Sequence, residues 1–184
     1  MRRFLIAGGL AAMLTGVVVH AAQEGSSMPA PQQEHGWLQQ IVGEWDGEAE
    51  ATMDPAQPPQ KFKLAESGRM IGGFWAMLEN KGELAGDPFT GILSLGYDPA
   101  KKKYVGTWFD SKSSYLWHYL GTVDPSGKIL TLETEGPSFD VPGKFANYRE
   151  SIEVKSKDHK VFTSSMEKDG KWLTFLTIHY RRKK

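Results

Sequence analysis

Not one of the 184 residues is a cysteine. That absence excludes disulfides, thiolate metal sites, CxxC redox chemistry and cysteine nucleophiles, so the fold stands on packing alone. Net charge is also missing, because 22 basic residues balance 22 acidic ones. Setting aside Arg2 and Arg3, which belong to an N-terminal leader, the remainder is acidic by two charges. Nucleic acid, whose recognition needs a concentrated basic surface, is not an expected partner. The tail "HYRRKK" is a short basic cluster that reads as a solvated end. There is no G-x-S-x-G elbow to present a serine nucleophile. There is no Gly-rich phosphate loop either, since "IGGF" reads as a tight turn between strands. Binding is therefore favoured over catalysis.

The leader itself is Met1-Arg2-Arg3, then a weakly polar to apolar stretch from Phe4 to Val19, then the small residues of "VHAAQ". This is the pattern of a cleavable signal peptide over residues 1–21, cut after Ala21. The stretch includes Gly8, Gly9 and Gly16 and falls short of the roughly 20 apolar residues of a membrane span. No cysteine follows to carry a lipid. The expected location is periplasmic or secreted, with no stable membrane span after cleavage. Residues 22–34, rich in Ser, Pro, Gln and Ala, read as a spacer.

"EHGWLQQIVGEW" then gives one helical turn, with Trp37, Leu38, Ile41 and Val42 at helical spacing and Gly43 ending it. No long helical period follows. Strands are expected at about 44–53, 60–71, 73–82, 89–97, 102–110, 114–123, 128–135, 145–156, 159–168 and 171–182. Between them stand turn-forming stretches such as "AGDP", "DPAKK", "DPSGK" and "KDGK". Ten short, regularly spaced strands argue a meandering antiparallel barrel or sandwich. Closure into a barrel is favoured because it removes exposed edges. A domain over 35–183 follows.

In "IVGEWDGEAE" the carboxylates Glu44, Asp46, Glu48 and Glu50 alternate with Trp45, Gly47 and Ala49. Alternate strand residues face opposite sides, so the acidic row goes outward into water and Trp45 goes inward. A divalent-cation site is the other reading of the row. Successive carboxylates on one strand face are roughly 6–7 Å apart, however, which suits a solvated stripe better than a coordination shell.

Several side chains are candidates for chemistry. In "SYLWHYLG", Leu116, His118 and Leu120 share one face and Tyr115, Trp117 and Tyr119 the other. An inward His118 is the one candidate ligand for haem iron; the ordinary alternative is a core histidine bonded to a neighbour. No other cofactor and no other metal ligand is expected. Glu66, Glu79, Glu133 and Glu150 lie mid-strand and are the candidate acids of a hydrolase, although mid-strand charges on a barrel usually face out. In "NYRES", Tyr148, Glu150 and Ile152 share one face and Arg149 takes the other. Arg69 and Arg149 are candidate anchors for a carboxylate ligand, with exterior salt bridges as the alternative. Trp75, Trp108 and Trp117 are candidates to line or cap a cavity. Aromatics left on the outer wall would mark a partner interface or a homodimer.

Gly43 and Trp45 open the first strand, and Arg181-Arg182 closes the last. This pairing resembles the calycin group, lipocalins and fatty-acid-binding proteins. The resemblance implies a G-x-W tryptophan at the closed end of a barrel, covered by an arginine of the final strand, here Arg181 or Arg182. It also implies that an inward arginine would meet the carboxylate of a fatty-acid-like ligand. "EHGWLQQIVGEW", "GRMIGGFW", "LGYDPAKKKYVGTWFDS" and "HYRR" are together similar to the bacterial family known as domain of unknown function 1579. That resemblance implies a calycin-like barrel and no activity. The expectation is an all-β, single meandering antiparallel calycin-like barrel of about ten strands, opened by a short helical turn. It would bind a small apolar or amphipathic ligand. A haem barrel, a partner-binding module and a hydrolase are the alternatives.

Overall fold

A computed structural model describes residues 29–52 and 57–184. The expected leader and most of the spacer lie outside these residues, as does the junction after the first strand. The architecture below belongs to Pro31–Lys184.

Among the described residues, one helix, α1 (Gln33–Leu38), precedes ten strands. These are β1 (Gly43–Ala51), β2 (Gln60–Ile71), β3 (Trp75–Leu84), β4 (Asp87–Asp98), β5 (Lys103–Asp110), β6 (Trp117–Val123), β7 (Ile129–Pro137), β8 (Phe145–Ser156), β9 (His159–Lys168) and β10 (Lys171–Arg182). Each strand pairs antiparallel with the next, and β10 returns to β1 to close the barrel. Strand β6 starts later than the sequence pattern suggests. Asp110 and Ser113 side chains accept the amides of Lys112 (2.8 Å) and Tyr115 (3.1 Å), which turns the chain before pairing resumes. The β6–β7 turn is organised by Asp124, which accepts the Ser126 hydroxyl at 2.6 Å and the Ile129 amide at 2.8 Å. These two bonds lead in lowering its pKa to about 2.

Strand β1 alternates as the sequence predicts. Trp45, Gly47 and Ala49 are buried, and the acidic row is exposed. The row is matched with cations and donors. Glu50 pairs with Lys61 (2.6 Å), Glu44 accepts from Ser67 (2.6 Å), Asp46 meets Lys183 (3.5 Å), and Glu48 stands opposite Lys63 in the ladder.

Helix α1 covers one end of the barrel. The Trp37 indole donates to the Gly127 carbonyl (2.9 Å), and the Tyr104 hydroxyl donates to the Glu34 carbonyl (2.9 Å). Buried His35 accepts the Gln32 amide at 2.9 Å and packs edge-on to Phe74 and Tyr97. Leu38 and Ile41 reach from this cap into the larger apolar cluster with Leu78, Leu95, Leu130 and Leu132. A smaller cluster gathers Trp45, Ala49, Leu64, Ile178 and Tyr180, and Phe162 packs against both. This end is closed; the opposite end, where β5–β6 and β7–β8 are joined by longer connections, carries the candidate site.

Candidate functional site

Among the described residues, two carboxyl groups, Glu66 and Glu150, are buried on interior strand faces. At the closed end, Glu66 of β2 forms an ion pair with Lys160 of β9, and both are buried. The Lys160 ammonium also donates to the Ile41 carbonyl at 2.7 Å. The second Glu66 oxygen accepts the Asn80 amide (3.2 Å), and Asn80 in turn accepts the Tyr180 hydroxyl (2.7 Å). Burial pulls the Lys160 pKa down, with Glu66 opposing that pull. The Trp45 ring lies between two cations, with Arg182 at 4.0 Å and Lys160 at 4.6 Å from its centroid, and its indole N–H donates to the Ile41 carbonyl. Arg182 further donates to the Val42 carbonyl (3.1 Å) and the Lys157 carbonyl (2.9 Å). Gly43, at φ +114°, leaves room for the guanidinium, because an added Cβ would collide with it. Every polar group here has a partner within the protein, so this end is a structural seal.

The second carboxyl, Glu150 of β8, is arranged differently. Strand alternation puts Tyr148, Glu150 and Ile152 inward. Across the ladders, Glu150 stands between Leu132 of β7 and Ser164 of β9. The Ser164 hydroxyl donates to Glu150 Oε1 at 2.8 Å, while buried Oε2 has no partner. Burial pushes the carboxyl pKa up to about 8 against the opposing Ser164 bond, so the group is a neutral acid at pH 7. With Oε1 accepting from Ser164, the proton sits on Oε2 as a donor without an acceptor. Burial first, and Glu150 second, raises the Tyr119 phenol well above its ordinary value.

Aromatic rings stand between Glu150 and the open end. Tyr148 meets Trp117 edge-on at 5.0 Å and Phe139 at 5.4 Å. Phe139, on the connection between β7 and β8, also meets Phe175 at 5.4 Å. Phe175 reaches this mouth because the β9–β10 register shifts between Thr174 and Leu176, a bulge that re-aims the side chain. Gly136 is required beneath Trp117, since a Cβ there would enter the indole. The Tyr148 hydroxyl donates to the Pro137 carbonyl (2.7 Å), tying the mouth to the base of its covering loop. Phe139 itself is 52% exposed. It therefore lies over the mouth without being locked into the core.

The remaining candidates divide between the two faces of the wall. Trp108 is half-buried against the apolar interior, its indole donating to Asp110 at 2.9 Å, and Trp117 lies beside Tyr148. Trp75 lies outside, against Gly96, and is 43% exposed. His118 is also exposed on the outer wall, one residue out of phase with buried Tyr119. The imidazole is thus neither a core residue nor a ligand for an interior haem. Trp75 and His118 share an outer groove of about 650 Å³ with Leu120 and Glu133. Arg69 is exposed, and Arg149 faces out, stacked on Trp172 at 4.1 Å and paired with Glu133 at 2.8 Å. Neither arginine offers its charge to the interior. Arg182, not exposed Arg181, covers Trp45. Among the mid-strand acids, Glu66 and Glu150 point inward, whereas Glu79 pairs with Lys81 and Glu133 with Arg149 outside.

Reading the sequence missed Lys160, whose partner Glu66 lies 94 residues away. A signal for Glu150 was present. It shares a strand face with Tyr148 and Ile152, both of a type that seeks burial.

The barrel is similar to solved structures of low sequence identity. Rv2717c from M. tuberculosis matches with a TM-score of 0.59 and 13% identity, over 84% of this chain and 100% of that one. The S-type phycobiliprotein lyase CPES from Guillardia theta matches with a TM-score of 0.54 and 16% identity, over 83% of this chain and 94% of that one. At these identities the likeness shows a shared fold. No curated protein sequence matches the chain. Residues 30–182 match the family model described as "Protein of unknown function (DUF1579)", and with most of its length so matched the chain belongs to that family.

Proposed function

We propose that the protein is a non-catalytic binder of a small amphipathic ligand, taken in at the aromatic end of the barrel and anchored on Glu150. The observation that carries this reading is the Glu150 carboxyl, which is buried, neutral and bonded through one oxygen only. A buried polar group without a partner costs roughly 1–3 kcal/mol. Such a group is more economically explained as one that a ligand completes. Pockets for small molecules combine apolar lining with a few placed polar groups, and Trp117, Tyr148, Phe139 and Phe175 supply the lining. Binding displaces the Phe139 side chain from the mouth. The barrel shares its fold with a phycobiliprotein lyase, which supports the scaffold and leaves the ligand to be found. Among the described residues no second inward carboxyl stands beside Glu150, and one neutral acid alone is a poor acid–base pair for hydrolysis. The leader read at residues 1–21 places the mature barrel outside the cytoplasm in this proposal; N-terminal sequencing of the purified protein checks the cut after Ala21.

Native and denaturing mass spectrometry of protein purified from the cells that make it test the binding reading. The expected result is an added mass that disappears on denaturation and is absent from Glu150→Leu. A bare chain mass under both conditions, with no tryptophan fluorescence change on adding octan-1-ol, would overturn it.

A further inference from the structure

Resting on that binding reading, we propose that the ligand is a cationic amphiphile whose ammonium group sits against Glu150 Oε2, its apolar part running toward Trp117, Tyr148 and Phe139. Three observations converge on this class. First, among the described residues the inward-facing side-chain atom without a partner is the carboxyl oxygen Glu150 Oε2, and once its proton has left, an ammonium satisfies it with a charge-assisted bond. Second, among the described residues no lysine or arginine is buried in this half of the barrel. Arg69 and Arg149 face out, and Lys160 is taken by Glu66 and the Ile41 carbonyl at the far end. A fatty carboxylate would meet an acid and no counter-charge. Third, the anchor lies beneath aromatic rings, whose faces attract cations once water is removed.

The groups facing Glu150 allow its charge to be read. Tyr148 on its own strand and Tyr119 on β6 are phenols whose pKa values burial raises, so both stay neutral. The cross-strand neighbours, Leu132 on β7 and Ser164 on β9, do not titrate. Nearer the mouth, Asp110 accepts from Trp108, and Asp140 is paired with Lys168. Binding of R–NH3⁺ to the neutral acid therefore leaves a carboxylate–ammonium pair and passes one proton from Oε2 to solvent. With the free acid titrating at about 8, affinity rises about tenfold per pH unit below that value and levels above it.

Isothermal titration calorimetry of the full mature barrel with n-octylamine, octan-1-ol and octanoate at pH 6, 7 and 8 tests this, using two buffers of different ionisation enthalpy. The expected result is that octylamine binds tightest, gains about tenfold from pH 6 to 7 and about fivefold from pH 7 to 8, and releases close to one proton at pH 6. Glu150→Gln, a neutral near-isostere, is expected to lose the pH slope and bring octylamine down to the octanol level. Octanol or octanoate binding as tightly as octylamine would overturn the ammonium assignment while leaving a binding barrel. An octylamine affinity that ignores pH, or survives Glu150→Gln, would overturn it in the same way. Failure of all three probes, together with a bare mass from cells, would remove both readings.

Discussion

Glu66 and Glu150 are both glutamates, both buried and both on interior strand faces, yet the barrel treats them in opposite ways. Glu66 is met by an ammonium and an amide, and the chain of donors continues through Asn80 to Tyr180. Glu150 receives one serine hydroxyl. Where a charge is fully matched, the protein has spent its own side chains on rigidity. Where the match is left half made, the proposed ligand supplies the missing partner from the side of the aromatic mouth.

The comparison breaks most sharply at Lys160. Lys160→Met leaves the Glu66 carboxylate buried without its cation, and a loss of about 3–5 kcal/mol in urea unfolding is expected. A loss under 1 kcal/mol would mean the seal is not needed. The corresponding change at the open end, Glu150→Gln, acts through pH. The folded state holds the Glu150 proton up to about pH 8, whereas the ordinary value is 4.5. Between those values the native state binds more protons than the unfolded one, so stability falls as pH rises, by about 1.4 kcal/mol per pH unit from this group. Glu150→Gln is expected to remove that slope and to be more stable than wild type at pH 8. Parallel stability curves for the two proteins from pH 5 to 8 would contradict the buried, neutral acid. A smaller effect is expected from Arg182→Leu, which removes one cation from Trp45 and costs about 1–2 kcal/mol by the same assay. The smallest belongs to the outer wall. Glu133→Ala frees a half-exposed Arg149 that still stacks on Trp172, and a change within about 1 kcal/mol is expected.

Period-two alternation carried most of the architecture. It set the inward tryptophan and outward acidic row of β1, and β2, β8, β9 and β10 span the residues that turn chemistry marks out. It also separated Arg149 from Glu150 correctly. Residue type pointed the other way, since arginine is the commoner partner of an anionic ligand and glutamate the commoner surface residue, whereas the buried strand face of Tyr148 and Ile152 carries Glu150. Lys160 was hidden for another reason. Strand β9 has consecutive buried residues at Lys160 and Val161 and again at Ser164 and Ser165. No single face of that strand reads as interior, and a long-range ion pair leaves no local trace. Trp75 and His118 show the remaining limit. An aromatic strand such as "SYLWHYLG" is bulky on both faces, so only the neighbouring strands decide which face the barrel encloses.

The seal around Trp45 also has a consequence in time. Arg182 donates to the Val42 carbonyl across 140 residues of chain, and β1 pairs with β10 along its length. The hairpins from β2 to β9 form between near neighbours, but the closing ladder must wait for the last strand. This is the longest-range pairing in the barrel, and closing it is slow relative to local pairing. The tryptophan that opens the first strand becomes fully enclosed only when the end of the last strand arrives, so its fluorescence is a clock for completion of the barrel.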